Sequence, residues 1–159
     1  MSMQNISYNL YEGTFLTPKP ALDRSINLLM FRDPDENEYQ IIVNRATLAE
    51  DQDLQAWCEM EMDNLRNKLP GFQVEGKMLK HEIGPAKLPV VQVANRYLHD
   101  GNTIHQVQSV VKLPKHSVYN RQGLDIMVFT LNASAEFSDF QRKHYVQVIN
   151  SFSPEIETI

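Results

Sequence analysis

Alternating apolar and polar positions predict a chain built mostly of β-strands. Strands are indicated where apolar residues recur at every second position between turn signals such as Glu12-Gly13, Gly84-Pro85 and Asp100-Gly101. We expect one or two short strands within residues 6–16, and further strands at 25–31, 39–45, 72–83, 87–98, 104–113 and 124–132.

Two segments change to the helical period. The first spans about residues 50–69 and carries an apolar stripe at spacings of three and four, formed by Leu54, Cys58, Met62, Leu65 and Leu69. Thr47 and Glu50 resemble a capping box at its start, and Pro70-Gly71 ends it. The second helix is expected at about 136–151, with Phe140 among its buried residues.

The order of these elements is strands, helix, strands, helix, without an internal repeat or a linker. This order predicts a single α+β domain over residues 1–159. Its expected architecture is a twisted antiparallel sheet of about six or seven strands, with two main helices packed on it.

The segment 25–31 is apolar on both faces of its predicted strand. Side chains alternate along a strand, so Ile26, Leu28 and Met30 point one way and Leu29 and Phe31 the other. An antiparallel sheet normally needs one apolar face. A second apolar face must be covered by more of the chain, a twin subunit or an apolar client.

Composition and charge exclude several classes of partner. The chain has 159 residues, is 42% hydrophobic and carries a formal charge of −5 without a dense Lys/Arg stripe. Nucleic acids and anionic membrane surfaces are therefore disfavoured. The N-terminal residues do not resemble a secretory signal, no segment approaches a membrane span of about 20 apolar residues, and Cys58 is the only cysteine. A cytoplasmic protein is expected.

No catalytic or metal-binding pattern is recognisable. Zinc ligands tend to occur in tight local pairs, and the five histidines have no such spacing: His81, His99, His105, His116 and His144. Cys58 falls on the apolar stripe of the first helix, where a thiol is usually inert. The acidic residues Glu59, Glu61 and Asp63 are two apart, so they do not share a helix face. We expect no enzyme, no metal site and no cofactor.

The strand 104–113 offers a binding surface instead. Val107, Val111 and Leu113 look like core, whereas the opposite face carries two glutamines among aliphatic residues, in the order Ile104, Gln106, Gln108, Val110. Such a face could hold an apolar helix, since glutamine supplies both donors and an acceptor. A half-exposed sheet face with scattered polar residues explains the spacing equally well.

Three motifs resemble one family of proteins. They are Tyr11-Glu12-Gly13-x-Phe15, Asp23-Arg24-Ser25-Ile26-Asn27-Leu28 and Leu69-Pro70-Gly71-Phe72. In order and spacing they resemble the Eag-type chaperones of bacterial type VI secretion effectors, which are related to DcrB and have a Mog1/PsbP-like fold. The resemblance implies a cytoplasmic homodimer that binds and shields the N-terminal transmembrane helices of PAAR/Rhs toxins and promotes their loading on the secretion spike.

The resemblance also implies which residues bind the client, and it leaves Leu29 and Phe31 to hold the fold. The apolar contacts of the family fall on Ile26, Leu28, Leu69 and Ile104, and its polar contact falls on Gln108. A second polar position, glutamine in a relative, falls on Glu61, where a carboxylate facing apolar client surface would be costly. Lipoprotein members of the family carry a signal and a lipidated cysteine, and neither is seen in this sequence.

Two other classes of function remain as alternatives. A Mog1/PsbP-like adaptor would bind a folded protein partner through a flat surface patch and would not bind isolated apolar helices. A small-ligand enzyme would need a closed pocket with convergent polar groups, and the sequence offers no such set.

Overall fold

The computed structural model describes residues 4–156, in which there are eight strands and two helices. Residues 1–3 and 157–159 of the predicted domain lie outside that part. In chain order the elements are β1 (Asn5–Asn9), β2 (Thr14–Pro18), β3 (Asn27–Arg32), β4 (Glu38–Thr47), α1 (Leu54–Lys68), β5 (Gln73–Ile83), β6 (Leu88–His99), β7 (Asn102–Lys112), β8 (Asp125–Ala133) and α2 (Asp139–Ser151).

The strands form a two-stranded hairpin, β1–β2, and a six-stranded sheet in the order β3-β4-β8-β7-β6-β5. Every neighbouring pair in the six-stranded sheet is antiparallel. The two helices pack on opposite sides of this sheet, and we refer to those sides as the α1 face and the α2 face. The predicted α+β fold, an antiparallel sheet with two packed helices, is confirmed.

The central strands are apolar on both faces because each face lies under a different helix. On β6, Val90 packs in the cluster with α2 and Val91 in the cluster with α1. On β7, Val111 and Val110 divide in the same way. The predicted division of β7 into one core face and one binding face therefore fails at its Val110 end, where both faces are buried.

Tyr145 links α2 to the sheet through hydrogen bonds. Its side chain is almost fully buried, and its hydroxyl donates to the carbonyl oxygen of Phe129 at 2.8 Å and lies 2.6 Å from Ser109 Oγ. Both partners belong to the central strands β8 and β7. Burial raises the pKa of the Tyr145 phenol, so the group stays a neutral donor. Helix α2 is thus held over the centre of the sheet.

The first helix begins later than its acidic N-terminal sequence suggested. Thr47 is the last residue of β4, and Asp53 is the N-cap, with its Oδ1 accepting from the backbone N–H of Ala56 at 2.7 Å. The expected capping box of Thr47 and Glu50 is wrong, because β4 continues through Thr47 to pair with Asp125. Similarly, β3 begins at Asn27, so Ile26 immediately precedes it.

Two expected core residues lie at the surface. Leu29 points to the α2 face opposite Ile41, but β3 is an edge strand and the Leu29 side chain is 49% exposed. Phe140 is also exposed, whereas Tyr145 and Ile149 are the buried apolar residues of α2. Phe31 packs against the core, with its ring stacked on Tyr39.

Candidate functional site

The α1 face of the sheet is only partly covered by its helix. Helix α1 lies over β6 and β7, and leaves β3 open at the edge of the sheet. Ile26, Leu28 and Met30 are 62%, 56% and 48% exposed. Three large aliphatic side chains at alternate positions therefore form an exposed apolar edge.

The strand register places Leu28 and Gln108 in one row across the sheet. Leu28 lies opposite Ile42 on β4, Ile42 opposite Thr130 on β8, and Thr130 opposite Gln108 on β7. Residues in such a row point to the same face. Three strand spacings separate Leu28 from Gln108, or about 14 Å. Gln108 is 9% exposed, so little of its side chain is accessible.

Ile104 and Leu69 lie near the same small apolar cluster. Ile104 on β7 lies directly opposite Tyr97 on β6. Tyr97 and Leu69 both pack against a small buried cluster of Met62, Phe72 and Val93. Leu69 is the residue that ends α1, and it is partly buried in this contact. Ile104, also partly buried, therefore belongs to the same apolar surface as Leu69 on the α1 face.

Glu61 lies on the side of α1 that faces the sheet. It is four residues after Trp57 and four before Leu65, and both of these pack in the clusters beneath the helix. Its side chain is partly exposed, and within residues 4–156 no ion pair to its carboxylate is formed. Glu59, on the outer side of the helix, accepts instead from Gln55.

The six residues named from the sequence thus lie on or beside one face. Ile26 is adjacent in sequence to the first residue of β3, and Leu28, Gln108 and Ile104 are on the sheet itself. Glu61 and Leu69 belong to the covering helix and its end. The predicted alternation of Leu28 and Met30 against Leu29 and Phe31 is confirmed by the register. Met30 joins Leu28 on the α1 face.

The structure adds four amide side chains that sequence reasoning did not bring together. Gln40, Asn132, Gln106 and Asn95 are successive cross-strand partners on β4, β8, β7 and β6. They lie on the α1 face, in the row next to that of Leu28 and Gln108. We call these four residues the amide row. In the sequence these residues are recognisable only as amides at alternate positions of predicted strands. The strand order is needed to show that the four form a row.

Cys58 is buried on the side of helix α1 that faces the sheet. The Cys58 side chain is buried, and burial raises the pKa of its thiol to about 12, with further contributions from the charges of Glu59 and Glu61. Among residues 4–156, no group of three or more His, Cys, Asp or Glu side chains is arranged to hold a metal ion. Within the same residues, no helix is long and apolar enough to cross a membrane.

The α2 face carries a separate cavity of about 560 Å³. It lies on the side of the sheet opposite the amide row, and its lining includes Arg96, His105, Phe137 and Tyr145. Within this lining Arg96 donates to Gln73 at 2.7 Å, and the ring of His105 packs edge-on to Phe137. Asn95 and Gln106 also border the cavity, from the strands that carry Arg96 and His105.

The chain is similar to one described protein family and to proteins of the same fold. The family model described as DcrB matches residues 12–151. No curated protein is similar enough in sequence to count as a match. The structure of PA94 from Pseudomonas aeruginosa, a protein of unknown function, has a TM-score of 0.71 and 16% identity, covering 97% of this chain and 99% of PA94.

A second solved structure is more distant. LpqN of Mycobacterium tuberculosis, described as involved in cell envelope biogenesis, has a TM-score of 0.53 and 16% identity, over 93% of this chain and 88% of LpqN. At this identity the likeness is one of fold.

Proposed function

The chain belongs to the DcrB family, and from that premise we propose that it is an Eag-type chaperone of type VI secretion effectors. In this proposal it binds the N-terminal transmembrane helices of PAAR/Rhs toxins, keeps them shielded in the cytoplasm and promotes their loading on the secretion spike. It acts as a homodimer and catalyses no reaction. The assignment to the chaperone branch of the family rests on the motif resemblance in residues 11–15, 23–28 and 69–72.

The exposed apolar edge of the α1 face is the observation that carries this proposal. Ile26, Leu28 and Met30 are each about half exposed or more. Leu28 and Met30 are at alternate positions of β3, and Ile26 immediately precedes that strand. Contiguous exposed apolar surface on a folded protein commonly marks an interaction site. An apolar helix laid against these side chains gains about 25 cal/mol for each Å² of apolar surface that it removes from water.

The position of the edge also suits a helical client. The apolar edge and helix α1 lie on the same face, with β4, β8 and part of β7 between them. The strands from Leu28 to Gln108 span about 14 Å, which corresponds to between two and three turns of a helix that lies across them. A client helix in this orientation contacts aliphatic side chains at one end and Glu61 or Leu69 of α1 at the other.

Co-expression tests the proposal directly. We expect the chain to form a soluble complex with the transmembrane segment of an effector, and we expect Ile26→Asp/Leu28→Asp to abolish that complex because two charges would then face the apolar client. A matched control is Val146→Asp, which puts a charge on an exposed position of α2 on the opposite face. An intact complex with the double variant would show that this edge is not the binding surface.

The second candidate is an adaptor that binds a folded protein partner through the same patch. The exposed apolar edge supports it as well, since contiguous exposed apolar surface also marks binding sites for folded proteins. An adaptor should bind no isolated apolar helix, so the same co-expression distinguishes the two functions.

A further inference from the structure

The amide row contains hydrogen-bonding atoms that the fold leaves without partners. Both amide atoms of Asn95, Oε1 of Gln106 and Oδ1 of Asn132 are buried and make no hydrogen bond within the described residues. Asn132 Nδ2 donates to Gln40 Oε1, but at a long 3.5 Å. Leaving a buried polar atom without a partner normally costs about 1–3 kcal/mol. The four atoms belong to three residues that are neighbours across adjacent strands. We therefore expect a hydrogen-bonding partner to bind there.

Apolar side chains border the row on several sides. At one end it meets Met30, which pairs with Gln40 on the exposed edge. On one flank is the row that runs from Leu28 and Ile42 to the polar Thr130 and Gln108. On the other flank are Ile104 and its partner Tyr97, with the Arg32–Glu38 ion pair at the outer end. A molecule that covered this surface would exclude water from the amides. It would then have to supply their hydrogen bonds itself.

Part of the row is accessible from outside. Asn95 is 1% exposed and forms the closed end, next to the cluster under α1. Gln40, Asn132 and Gln106 are only partly buried. The terminal torsion of an Asn or Gln side chain is broad, so rotation of the Asn132 and Gln106 amides can turn their oxygen atoms towards a bound molecule.

The spacing of the row matches the pitch of a helix. Successive members lie on neighbouring strands, about 4.8 Å apart, and one turn of an α-helix rises 5.4 Å. A helix lying across the strands along the row would therefore place residues three or four apart opposite successive amides. Extended chains have a different repeat, since residues on one face recur at about 6.6–6.8 Å.

We propose that the amide row selects client helices that carry hydrogen-bonding side chains (Ser, Thr, Asn or Gln) one turn apart on an otherwise apolar face. This inference rests on the proposed function and adds to it a requirement on the sequence of the client. The aliphatic edge binds any apolar helix, and the amide row distinguishes among them. Hydrogen bonds between side chains in apolar surroundings are suited to this role because each contributes modestly.

Three synthetic peptides of about 20 residues, long enough for a membrane span, test the proposal with the full chain. All have a Leu/Ala body and Lys ends: one has no polar residue in the body, one has Asn at positions i and i+4, and one has Asn at i and i+2. The last two have the same composition, but only the i, i+4 pair shares a helix face. Binding is measured by fluorescence anisotropy of labelled peptides.

We expect the i, i+4 peptide to bind about ten-fold more tightly than the other two, since such hydrogen bonds are each worth about three- to thirty-fold in affinity. Equal affinities for the three peptides would overturn the inference and leave the proposed function standing. Failure of all three to bind would overturn the proposed function, and the inference with it.

Variants of the amide row test whether it causes the preference for the i, i+4 peptide. Gln106→Leu/Asn132→Leu should lose the preference while still binding the wholly apolar peptide, and a preference that persisted in this variant would overturn the inference. The control Gln92→Leu removes a partly buried amide from the opposite face of β6 and should keep the preference. In the unmodified protein, the side-chain amide NMR signals of Asn132 and Gln106 should shift on adding the i, i+4 peptide. Unchanged signals at saturation would also overturn the inference.

Discussion

Single side chains on the α1 face differ sharply in what they can offer a client. Leu28 and Met30 are half exposed at the sheet edge, whereas Gln108, three strands further in, is nearly buried. Glu61 is the one acidic residue among the six named from the sequence. It lies between Trp57 and Leu65 on the side of α1 that faces the sheet. Covering its carboxylate with an apolar helix would remove hydration without providing a counter-charge.

Glu61→Gln should therefore strengthen client binding. We expect an affinity several-fold higher than that of the unmodified chain, because a neutral amide costs less to cover and can donate to the client. The matched control is Glu59→Gln, on the outer side of α1 and hydrogen-bonded to Gln55, which should leave the affinity unchanged. Peptide titration measures both, and equal effects of the two variants would mean that Glu61 does not face the client.

Among the elements, the β3–β4 hairpin depends on a single buried carboxylate at its turn. Asp33 Oδ1 accepts from the backbone N–H groups of Asp35 and Asn37 at 3.0 and 2.9 Å. Asp33 Oδ2 accepts from Gln141 Nε2 at 3.3 Å and from Ser138 Oγ at 3.4 Å. Ser138 and Gln141 also form the capping box of α2. One side chain thus ties the turn beside the exposed edge to the start of a helix.

Asp33→Asn should destabilise the chain in a pH-dependent way. The hydrogen bond from the Asn37 backbone, with others from Asp35 and Ser138, holds the pKa of the Asp33 carboxyl below 3.8. A pKa lowered by folding contributes stability above the unfolded pKa of about 3.9, and this is lost as the pH falls through the folded value. The difference between the two proteins in free energy of unfolding should be largest near pH 6 and shrink below about pH 4.

Urea unfolding at a series of pH values measures this difference. Asp35→Asn is the control, since Asp35 is exposed and contributes its backbone N–H rather than its carboxylate to the turn. A difference for Asp33→Asn that did not change with pH would show that its effect is not the loss of the carboxylate.

At the scale of the whole molecule, exposed apolar surface is concentrated near the N-terminus. The β1–β2 hairpin forms a sheet of its own, and Phe15 and Leu16 on it are 47% and 72% exposed. A two-stranded hairpin is marginally stable by itself. The adjoining β3 is an edge strand with unpaired backbone groups on its outer side. Both features are suited to burial in a subunit interface.

This distribution of exposed apolar surface supports the proposed homodimer. Analytical ultracentrifugation at micromolar concentration should show a particle of twice 18.4 kDa. Leu16→Asp should shift the protein towards the monomer because it puts a charge on the exposed hairpin, whereas Val146→Asp on α2 should not. An 18.4 kDa particle for the unmodified chain would contradict the dimer.

Much of the fold could be predicted because its signals are local. Alternation revealed the strands, the spacing of Leu54, Cys58 and Met62 revealed α1, and turn residues such as Asp100-Gly101, both with positive φ, separated β6 from β7. The residues at which helices and strands begin were harder to predict. The acidic residues at 50–53 offered several helix starts, and the hydrogen bond from the Ala56 backbone N–H to Asp53 decided among them.

By itself, the sequence determined the class of fold, the alternation of Leu28 and Leu29 and, through short motifs, the resemblance that named six residues. Only the tertiary structure decided which parts of each face are covered and which amides are neighbours. Of the pairings of β4 and β7 with β8, the first joins segments that are separated by a helix and three strands. Alternation reports the face of a side chain but not the strand beside it. The amide row exists through those pairings, so it could be found only once the strand order was known.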